Sequence, residues 1–156
     1  MKDIASAQAF FAGDIFAVET VGLSIEEARP DYARCALDAG TRHLNAHNTV
    51  MGGALFTLAD FAFAVAANSE DVGAVSVSCD ITYHNAACPG RLTAETQCLK
   101  SGRRVCSFLV TITDEAGACV ATTVSTGIRT PRAEDTTGCP RSPSIKIQLD
   151  LKGKKL

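Results

Sequence analysis

One aspartate stands alone in the most apolar stretch of the chain, and it is the first candidate for chemistry. Between Ala54 and Ala67 only Thr57 and Asp60 carry polar side chains. An apolar run of this length favours a helix over a strand, and a helix that is apolar on nearly every face is normally buried. An ionised carboxylate is costly to bury alone, so we expect Asp60 to have a partner, access to water or a catalytic task. The alternative, a solvent-facing Asp60 on a half-exposed helix, explains the apolar flanks poorly.

A glycine pair, Gly52-Gly53, stands at the predicted start of this helix, which we place over residues 53–68. The first N–H groups of a helix have no intrahelical acceptor and lie at the positive end of its dipole, and glycine lets a carbonyl oxygen approach the backbone closely. Such a start is compatible with binding of a carbonyl oxygen and equally with a tight turn into the helix, and both can be true. At helical spacing one stripe of small or polar residues results: Gly53, Thr57, Asp60 and Ala64.

Length, charge and cysteine usage restrict the function classes. The 156 residues are enough for one domain, and a net charge of -2 without a basic cluster predicts no nucleic-acid partner. The seven cysteines form no CxxC pair and no Cys/His ligand pattern, which argues against a metal site or a disulfide framework and favours a reducing compartment. No secretory signal or membrane span is evident. These features predict a soluble, cytoplasmic protein.

Around the long helix, the alternation of apolar and polar residues predicts the other elements. We expect a helix over residues 3–11, a strand over 15–28 and a second strand over 32–37 that form a hairpin, and a functional loop over 38–48. A meander of four strands is predicted over 74–84, 90–99, 104–114 and 118–129. The domain is expected to span 1–130, and the Pro-, Ser- and Thr-rich tail 131–156 to be a linker or an added edge strand.

The segment 44–69, LNAHNTVMGGALFTLADFAFAVAANS, resembles the signature of the PaaI-like (phenylacetic acid degradation) acyl-CoA thioesterases in the 4-hydroxybenzoyl-CoA thioesterase superfamily. The matching positions are Asn45, the glycine pair, Leu58-Ala59-Asp60 and Asn68, and the similarity continues to Arg129. The resemblance implies an α+β hot-dog fold, in which an antiparallel sheet wraps a long central helix. It also implies hydrolysis of an aryl- or medium-chain acyl-CoA, with the coenzyme A thioester as substrate and no cofactor or metal.

The resemblance further implies a role for each matching residue. Asp60 would be the catalytic carboxylate, acting either as a general base or as a nucleophile. The amides of Gly52 and Gly53 would polarise the thioester carbonyl, with assistance from Asn45. Asp60 lies about two helical turns, roughly 10 Å, beyond those amides, too far for both to act on one carbonyl within a single subunit. Because the family's sites lie at a dimer interface, we expect a homodimer, and the family often pairs dimers into a homotetramer.

Further residues are expected to contact the substrate or its coenzyme A portion: Met51, Thr57, Ala64, Ser76, Ser78, His84, Arg103 and Arg104. The two arginines suit the phosphates of coenzyme A, with a solvated surface turn nearly as favoured. A serine within a strand is more often structural. His43 and His47 are interpreted first as loop residues.

Met51 departs from the family pattern, because many relatives carry His before the glycine pair. The loss of that polar contact leaves a second function open, a non-catalytic acyl-CoA-binding or regulatory hot-dog protein. A hot-dog dehydratase ranks last, because no His is present on the central helix.

Overall fold

A long helix lies across one face of a six-stranded antiparallel sheet in the computed structural model, which describes residues 3–68 and 72–131. The elements in chain order are α1 (Ile4–Phe11), a π-helix (Phe16–Val21), β1 (Leu23–Arg29), β2 (Tyr32–Ala39), a 3₁₀ turn (Thr41–His43), α2 (Gly52–Ala67), β3 (Val72–Tyr83), β4 (Gly90–Ser101), β5 (Val105–Asp114) and β6 (Cys119–Pro131). The strand order is β1-β2-β4-β5-β6-β3. The predicted α+β class is confirmed, and the tail 132–156 lies outside the described residues.

The N-terminal segment corrects the predicted strand over 15–28, because residues 16–21 form a π-helix and only Leu23–Arg29 pair in the sheet. The backbone carbonyl of Asp14 accepts from the N–H of Val18 at 2.9 Å and starts the helical turn. Gly22 ends it in the left-handed conformation at φ +86°, as glycine commonly does at helix C-termini. The buried residues are Ala17 and Val21, four apart, which is a helical and not a strand spacing.

Helix α2 buries most of its side chains and leaves one stripe accessible. Its buried side chains include Leu58, Phe61 and Phe63. Phe61 packs edge-to-face on Phe11 of α1, with ring centroids 5.4 Å apart, and Phe63 packs in the same way on Phe108 of β5 at 5.7 Å. In contrast, the predicted stripe of Gly53, Thr57, Asp60 and Ala64 is partly or fully exposed. The prediction of a helix buried on nearly every face is therefore correct except along this stripe.

Strand β3 forms one edge of the sheet and pairs only with β6 among the described strands. It is 12 residues long, and a register shift opposite β6 lies between Ser76 and Ser78. Val75 and Val77 are 62% and 54% exposed. A long edge strand with exposed apolar side chains is a template for pairing with another chain.

The two ends of strand β3 lie beside the two ends of α2. The C-terminal end of β3, at Tyr83, reaches the first residue of α2, since the Tyr83 hydroxyl donates to the Gly52 carbonyl at 3.1 Å. The N-terminal end of β3 pairs with the last residues of β6 and lies beside Asn68, where α2 stops.

The four meander strands begin and end within two residues of their predicted bounds. No helix in the described ranges 3–68 and 72–131 is both long and apolar enough to cross a bilayer.

Gly127 of β6 faces Phe63 of α2 and leaves no room for a side chain at this position. A Cβ at this position would stand 2.7 Å from Cζ of Phe63, 3.2 Å from the Val75 carbonyl oxygen and 3.3 Å from Sγ of Cys106. We expect Gly127→Ala to lower the free energy of unfolding by about 1–3 kcal/mol, the usual cost of overpacking a core. The measurement is chemical denaturation with Gly13→Ala as the matched control, where an added Cβ would stand 3.9 Å from the Phe10 carbonyl oxygen. Equal stability of the two variants would contradict this packing.

Candidate active site

The first turn of α2 presents two backbone amides that have no acceptor among the described residues, those of Gly52 and Gly53. Met51 occupies the N-cap position and its side chain makes no capping hydrogen bond. The next two amides, of Ala54 and Leu55, donate to the Met51 carbonyl at 2.9 and 3.3 Å. Two unpaired N–H groups at a helix N-terminus are suited to bind a developing negative charge.

A network of backbone hydrogen bonds holds the chain that leads into this turn. The Met51 N–H donates to the His43 carbonyl at 2.8 Å, and the Val50 N–H donates to the Ala87 carbonyl at 2.8 Å. On the other side, the Tyr83 hydroxyl bonds the Gly52 carbonyl, and its ring packs where a Cβ of Gly52 would stand, at 3.1 Å. A Cβ at Gly52 would crowd the Tyr83 ring, so glycine favours this contact as well as access to its own amide.

Asn45 organises the loop before α2. Its Oδ1 accepts from the N–H groups of His47 at 2.8 Å and Thr49 at 3.3 Å, and its Nδ2 donates to Thr49 Oγ1 at 2.9 Å. Asn48 takes the left-handed conformation at φ 59° within this turn. The described structure thus gives Asn45 a loop-building role and leaves one Nδ2 hydrogen without a partner within the described residues.

His43 is buried and connects three segments, which the sequence alone did not indicate. Its Nδ1 accepts from the Gly40 N–H at 2.9 Å, so Nε2 carries the proton and donates to the Val21 carbonyl at 2.8 Å. The contact of 3.2 Å between Arg42 Nε and His43 Nε2 then joins two donors and is not a hydrogen bond. His43 thereby ties the end of the π-helix to the residue that precedes Gly52.

Asp60 is half-buried on the exposed stripe, and its carboxylate receives no hydrogen bond from the described residues. Burial raises the pKa of Asp60, and the negative charge of Asp14 raises it further. A carboxylate with a raised pKa accepts a proton more readily, which is the property required of a general base. The side chain is placed on the same helix as the two free amides and about two turns away.

Two cavities flank the first turn of α2. The first, of about 370 Å³, lies on the β3 side and is lined by Val50, Gly52, Leu55, Tyr83, His84 and Asn85. The second, of about 390 Å³, lies on the π-helix side and is lined by Phe16, Thr20, Arg42, Met51, Gly53 and Thr57. The free amides of Gly52 and Gly53 therefore stand between two openings, each large enough to receive part of a ligand.

The structure brings some of the predicted site residues together within one chain. Met51 and Thr57 line the cavity on the π-helix side, and His84 lines the cavity on the β3 side. Met51 is 57% exposed, and its Cε lies over Gly53. His84 is also engaged through Nε2 with Thr122 Oγ1 at 2.8 Å.

Other predicted site residues lie apart from the α2 N-terminus in the single chain. Ser76 and Ser78 are exposed on the edge strand, several residues before Tyr83. Arg103 and Arg104 are exposed in the turn between β4 and β5, which adjoins the end of β6 at Arg129. Ala64 lies on the stripe beyond Asp60. One chain alone does not bring these five residues to the free amides.

Tyr83 and Arg42 are site residues that the sequence analysis did not identify. Tyr83 ends a predicted strand, and nothing in the local pattern indicates that its hydroxyl reaches Gly52. The position of Arg42 depends on the π-helix, which was predicted as a strand. Within 3–68 and 72–131, no cluster of three or more His, Cys, Asp or Glu side chains has the geometry to hold a metal ion, and the six described cysteines are free thiols.

Comparisons of sequence and of fold with known proteins both identify thioesterases as the relatives of this chain. Residues 47–121 match the family model described as the thioesterase superfamily. The acyl-coenzyme A thioesterase PaaI of Escherichia coli K12 is 31% identical over 117 residues, which cover 74% of this chain and 83% of that protein.

Solved structures show the same fold. The PaaI protein of the E. coli phenylacetic acid degradation operon superposes with a TM-score of 0.72 at 26% identity, covering 81% of this chain and 96% of that chain. A hypothetical thioesterase of Streptococcus pneumoniae TIGR4, solved with coenzyme A, has a TM-score of 0.72 at 25% identity, covering 78% and 98%. The predicted hot-dog fold is therefore confirmed. The chain belongs to the thioesterase superfamily, in its PaaI-like hot-dog branch, and is a hydrolase acting on thioester bonds.

Proposed function

We propose that the protein hydrolyses an aryl- or medium-chain acyl-CoA to the free acid and coenzyme A. The single observation that carries the proposal is the pair of unpaired amides at Gly52 and Gly53 on the same helix as the half-buried Asp60. In this proposal, the amides bind the thioester carbonyl oxygen and stabilise the negative charge that it gains during attack. One such donor contributes about 10²–10³ to the rate in other enzymes.

Asp60 supplies the other half of the reaction. As a general base it takes a proton from water, which attacks the carbonyl carbon, and the C–S bond then breaks to release the coenzyme A thiol. As a nucleophile it attacks the carbon itself and forms an anhydride that water hydrolyses. Both routes need an ionised carboxylate, and the raised pKa of Asp60 favours proton acceptance at neutral pH.

The separation of these two groups along α2 supports a homodimeric site. Gly52 and Asp60 are eight positions apart along the helix, about 12 Å, so one carbonyl does not contact both in one chain. Pairing of two β3 edges in antiparallel fashion would place the Tyr83 end of one strand beside the Val72 end of the other. The first turn of one α2 would then approach the middle of the partner's α2.

The same pairing also brings in the distant arginines. The turn containing Arg103 and Arg104 lies at the sheet end where β3 begins, since Val105 pairs with Ile128 and Ile128 with Val75. Antiparallel pairing of β3 therefore moves this turn toward the partner's Gly52. In that position the two guanidinium groups suit the phosphates of the coenzyme A portion of the substrate. The serines Ser76 and Ser78 would lie at the paired edge, and Ala64 beside the acyl group.

Met51 lines the cavity on the π-helix side, at the position before the glycine pair where the family pattern has His. Its flexible thioether packs readily against apolar groups, and its exposed position over Gly53 suits contact with the substrate. The amides of the first turn do not depend on this side chain, which makes no capping bond. This separation favours a hydrolase with altered acyl preference over a protein that only binds acyl-CoA.

Substitution of the carboxylate tests the catalytic assignment. We expect Asp60→Asn to lower kcat/KM by about 10²–10⁴ for its best acyl-CoA substrate, because the amide cannot accept a proton or attack a carbonyl. The measurement is thiol release from a panel of acyl-CoA compounds. Glu95→Gln on the exposed surface of β4, away from the β3 edge, is the control and should retain activity. Equal rates for wild type and Asp60→Asn would refute the role of Asp60.

The raised pKa of Asp60 gives a pH prediction with a defined sign. An essential carboxylate loses activity as the pH falls through its pKa, so the acid limb should lie above the ordinary aspartate value of 3.8. Removing the nearby charge with Asp14→Asn should lower the pKa of Asp60 and move this limb to lower pH. The measurement is kcat/KM against pH for both proteins. A limb that moves to higher pH, or does not move, would contradict the coupling.

Disruption of the free edge tests the homodimeric site. We expect Val77→Lys to convert the protein to monomers and to lower activity by at least about 10²-fold, because a lysine on an edge strand opposes pairing. Sedimentation velocity and thiol release are measured together. Leu99→Lys, at an equally exposed site on β4, is the control and should leave the association unchanged. A fully active monomer would exclude a shared site.

A further inference from the structure

An exposed arginine, Arg42, lines the cavity on the π-helix side of α2 and has no carboxylate partner within residues 3–68 and 72–131. Arg42 lines this space of about 390 Å³ together with Phe16 and Thr20 of the π-helix and Gly53 and Thr57 of α2. The described parts of the chain place no carboxylate oxygen within 4.0 Å of its guanidinium. The same holds for Arg103 and Arg104 in the β4–β5 turn, whereas Arg29, Arg34, Arg91 and Arg129 all have such partners. An unpaired guanidinium at a cavity wall is suited to bind an anionic ligand.

The backbone around Arg42 holds its guanidinium in place. Nη2 donates to the Val21 carbonyl at 3.1 Å, at the end of the π-helix. The side chain passes directly over Gly22, where a Cβ would collide with Nη2. Gly22 also has φ +86°, a conformation that other residues rarely adopt. The position therefore provides both the turn and the space that the guanidinium requires.

Most hydrogen-bond donors of Arg42 remain available to a ligand. A guanidinium has five N–H groups, and the Val21 carbonyl uses one of them. The nearby His43 Nε2 takes none, because it donates its own proton to Val21. A carboxylate in the cavity would gain bonds to Arg42 without displacing any contact to a protein carboxylate.

The position of the cavity decides which part of a thioester reaches it. The free amide of Gly53 is at its edge, so a substrate whose carbonyl is bound there can place only nearby atoms in the cavity. The phosphates of coenzyme A are separated from the thioester by the whole pantetheine arm. Two groups begin next to the carbonyl, the acyl group and the pantetheine arm, and the pantetheine arm carries no charge that a guanidinium would bind. The remaining lining is mostly apolar or small, from Phe16, Met51 and Ala54, and is compatible with a hydrocarbon segment.

From these observations we infer that the cavity between the π-helix and α2 receives the acyl group, and that Arg42 selects acyl groups that end in a carboxylate. This inference rests on the proposed thioesterase function and names the substrate class of the same site. It makes Arg42 a specificity-determining residue, distant from the bond that breaks.

The test compares ω-carboxyacyl-CoA thioesters (succinyl, glutaryl and adipyl) with neutral acyl-CoA thioesters of equal chain length. For Arg42→Gln, kcat/KM should fall at least about 10-fold in the carboxylate series and stay within about 2-fold in the neutral series. Arg29→Gln, at the exposed β1–β2 turn, is the matched control and should change neither series. Repeating the assay with S-acyl-pantetheine compounds removes the nucleotide phosphates, and the effect of Arg42→Gln should persist.

Two outcomes would overturn the inference. Equal losses in both CoA series that disappear with the pantetheine compounds would assign Arg42 to the coenzyme A phosphates. Unchanged rates in both series would remove any role in binding. Calorimetry with non-hydrolysable thioether analogues separates this inference from the proposed function. If wild type hydrolyses no thioester but binds the carboxylate analogues at least about 10-fold more tightly than Arg42→Gln does, the inference holds and the hydrolytic proposal fails.

Discussion

The start of α2 is the constraint on which the rest of the site depends. The first N–H groups of a helix have no intrahelical acceptor, and here those of Gly52 and Gly53 are left without one among the described residues. Hydrogen bonds fix the backbone on both sides of these two amides. Met51 is fixed through its N–H by His43, Gly52 through its carbonyl by Tyr83, and Ala54 through its N–H by Met51. Each neighbouring group is occupied, and only the amides of Gly52 and Gly53 are left open.

The faces of α2 that carry the core side chains are covered, and the face that carries the candidate site residues is accessible. The sheet covers the sides that carry Leu58 and Phe63, and α1 covers the side that carries Phe61. The stripe with Gly53 and Asp60 stays accessible because the chain has no further layer over it among the described residues. A single domain thus places a turn with two unpaired amides and a half-buried carboxylate on one helix, and their spacing of about 12 Å keeps them apart within one chain.

Much of this arrangement could be predicted from sequence because it depends on local patterns. The apolar run and the glycine pair predicted α2 to within one residue at each end, and the alternating meander predicted β3 to β6 to within two residues. The π-helix was missed because Val18, Thr20 and Val21 favour a strand by composition. The signals that indicate a helix there are Asp14 before it and the left-handed Gly22 after it.

The parts of the site that could not be predicted depend on contacts between distant segments. His43 bonds the carbonyl of Val21, 22 residues away, and Arg42 bonds the same atom. No local pattern indicates these partners, because the carbonyl reaches its position only when the π-helix has formed. Tyr83 likewise meets Gly52 across 31 residues of sequence. The family resemblance predicted a catalytic role for Asn45, whereas its observed hydrogen bonds are short-range and stabilise the loop.

The π-helix has a consequence for how this protein can diversify. Phe16 is exposed and Thr20 lines the cavity, whereas the residues of the same helix that enter the core are Ala17 and Val21. His43 attaches the helix through a backbone carbonyl, which is present whatever the side chain. Substitutions at Phe16 or Thr20 can therefore reshape the cavity wall without altering the attachment or the amides of α2. The side chains that shape this cavity wall are thus separate from the backbone bonds that hold the π-helix and the first turn of α2.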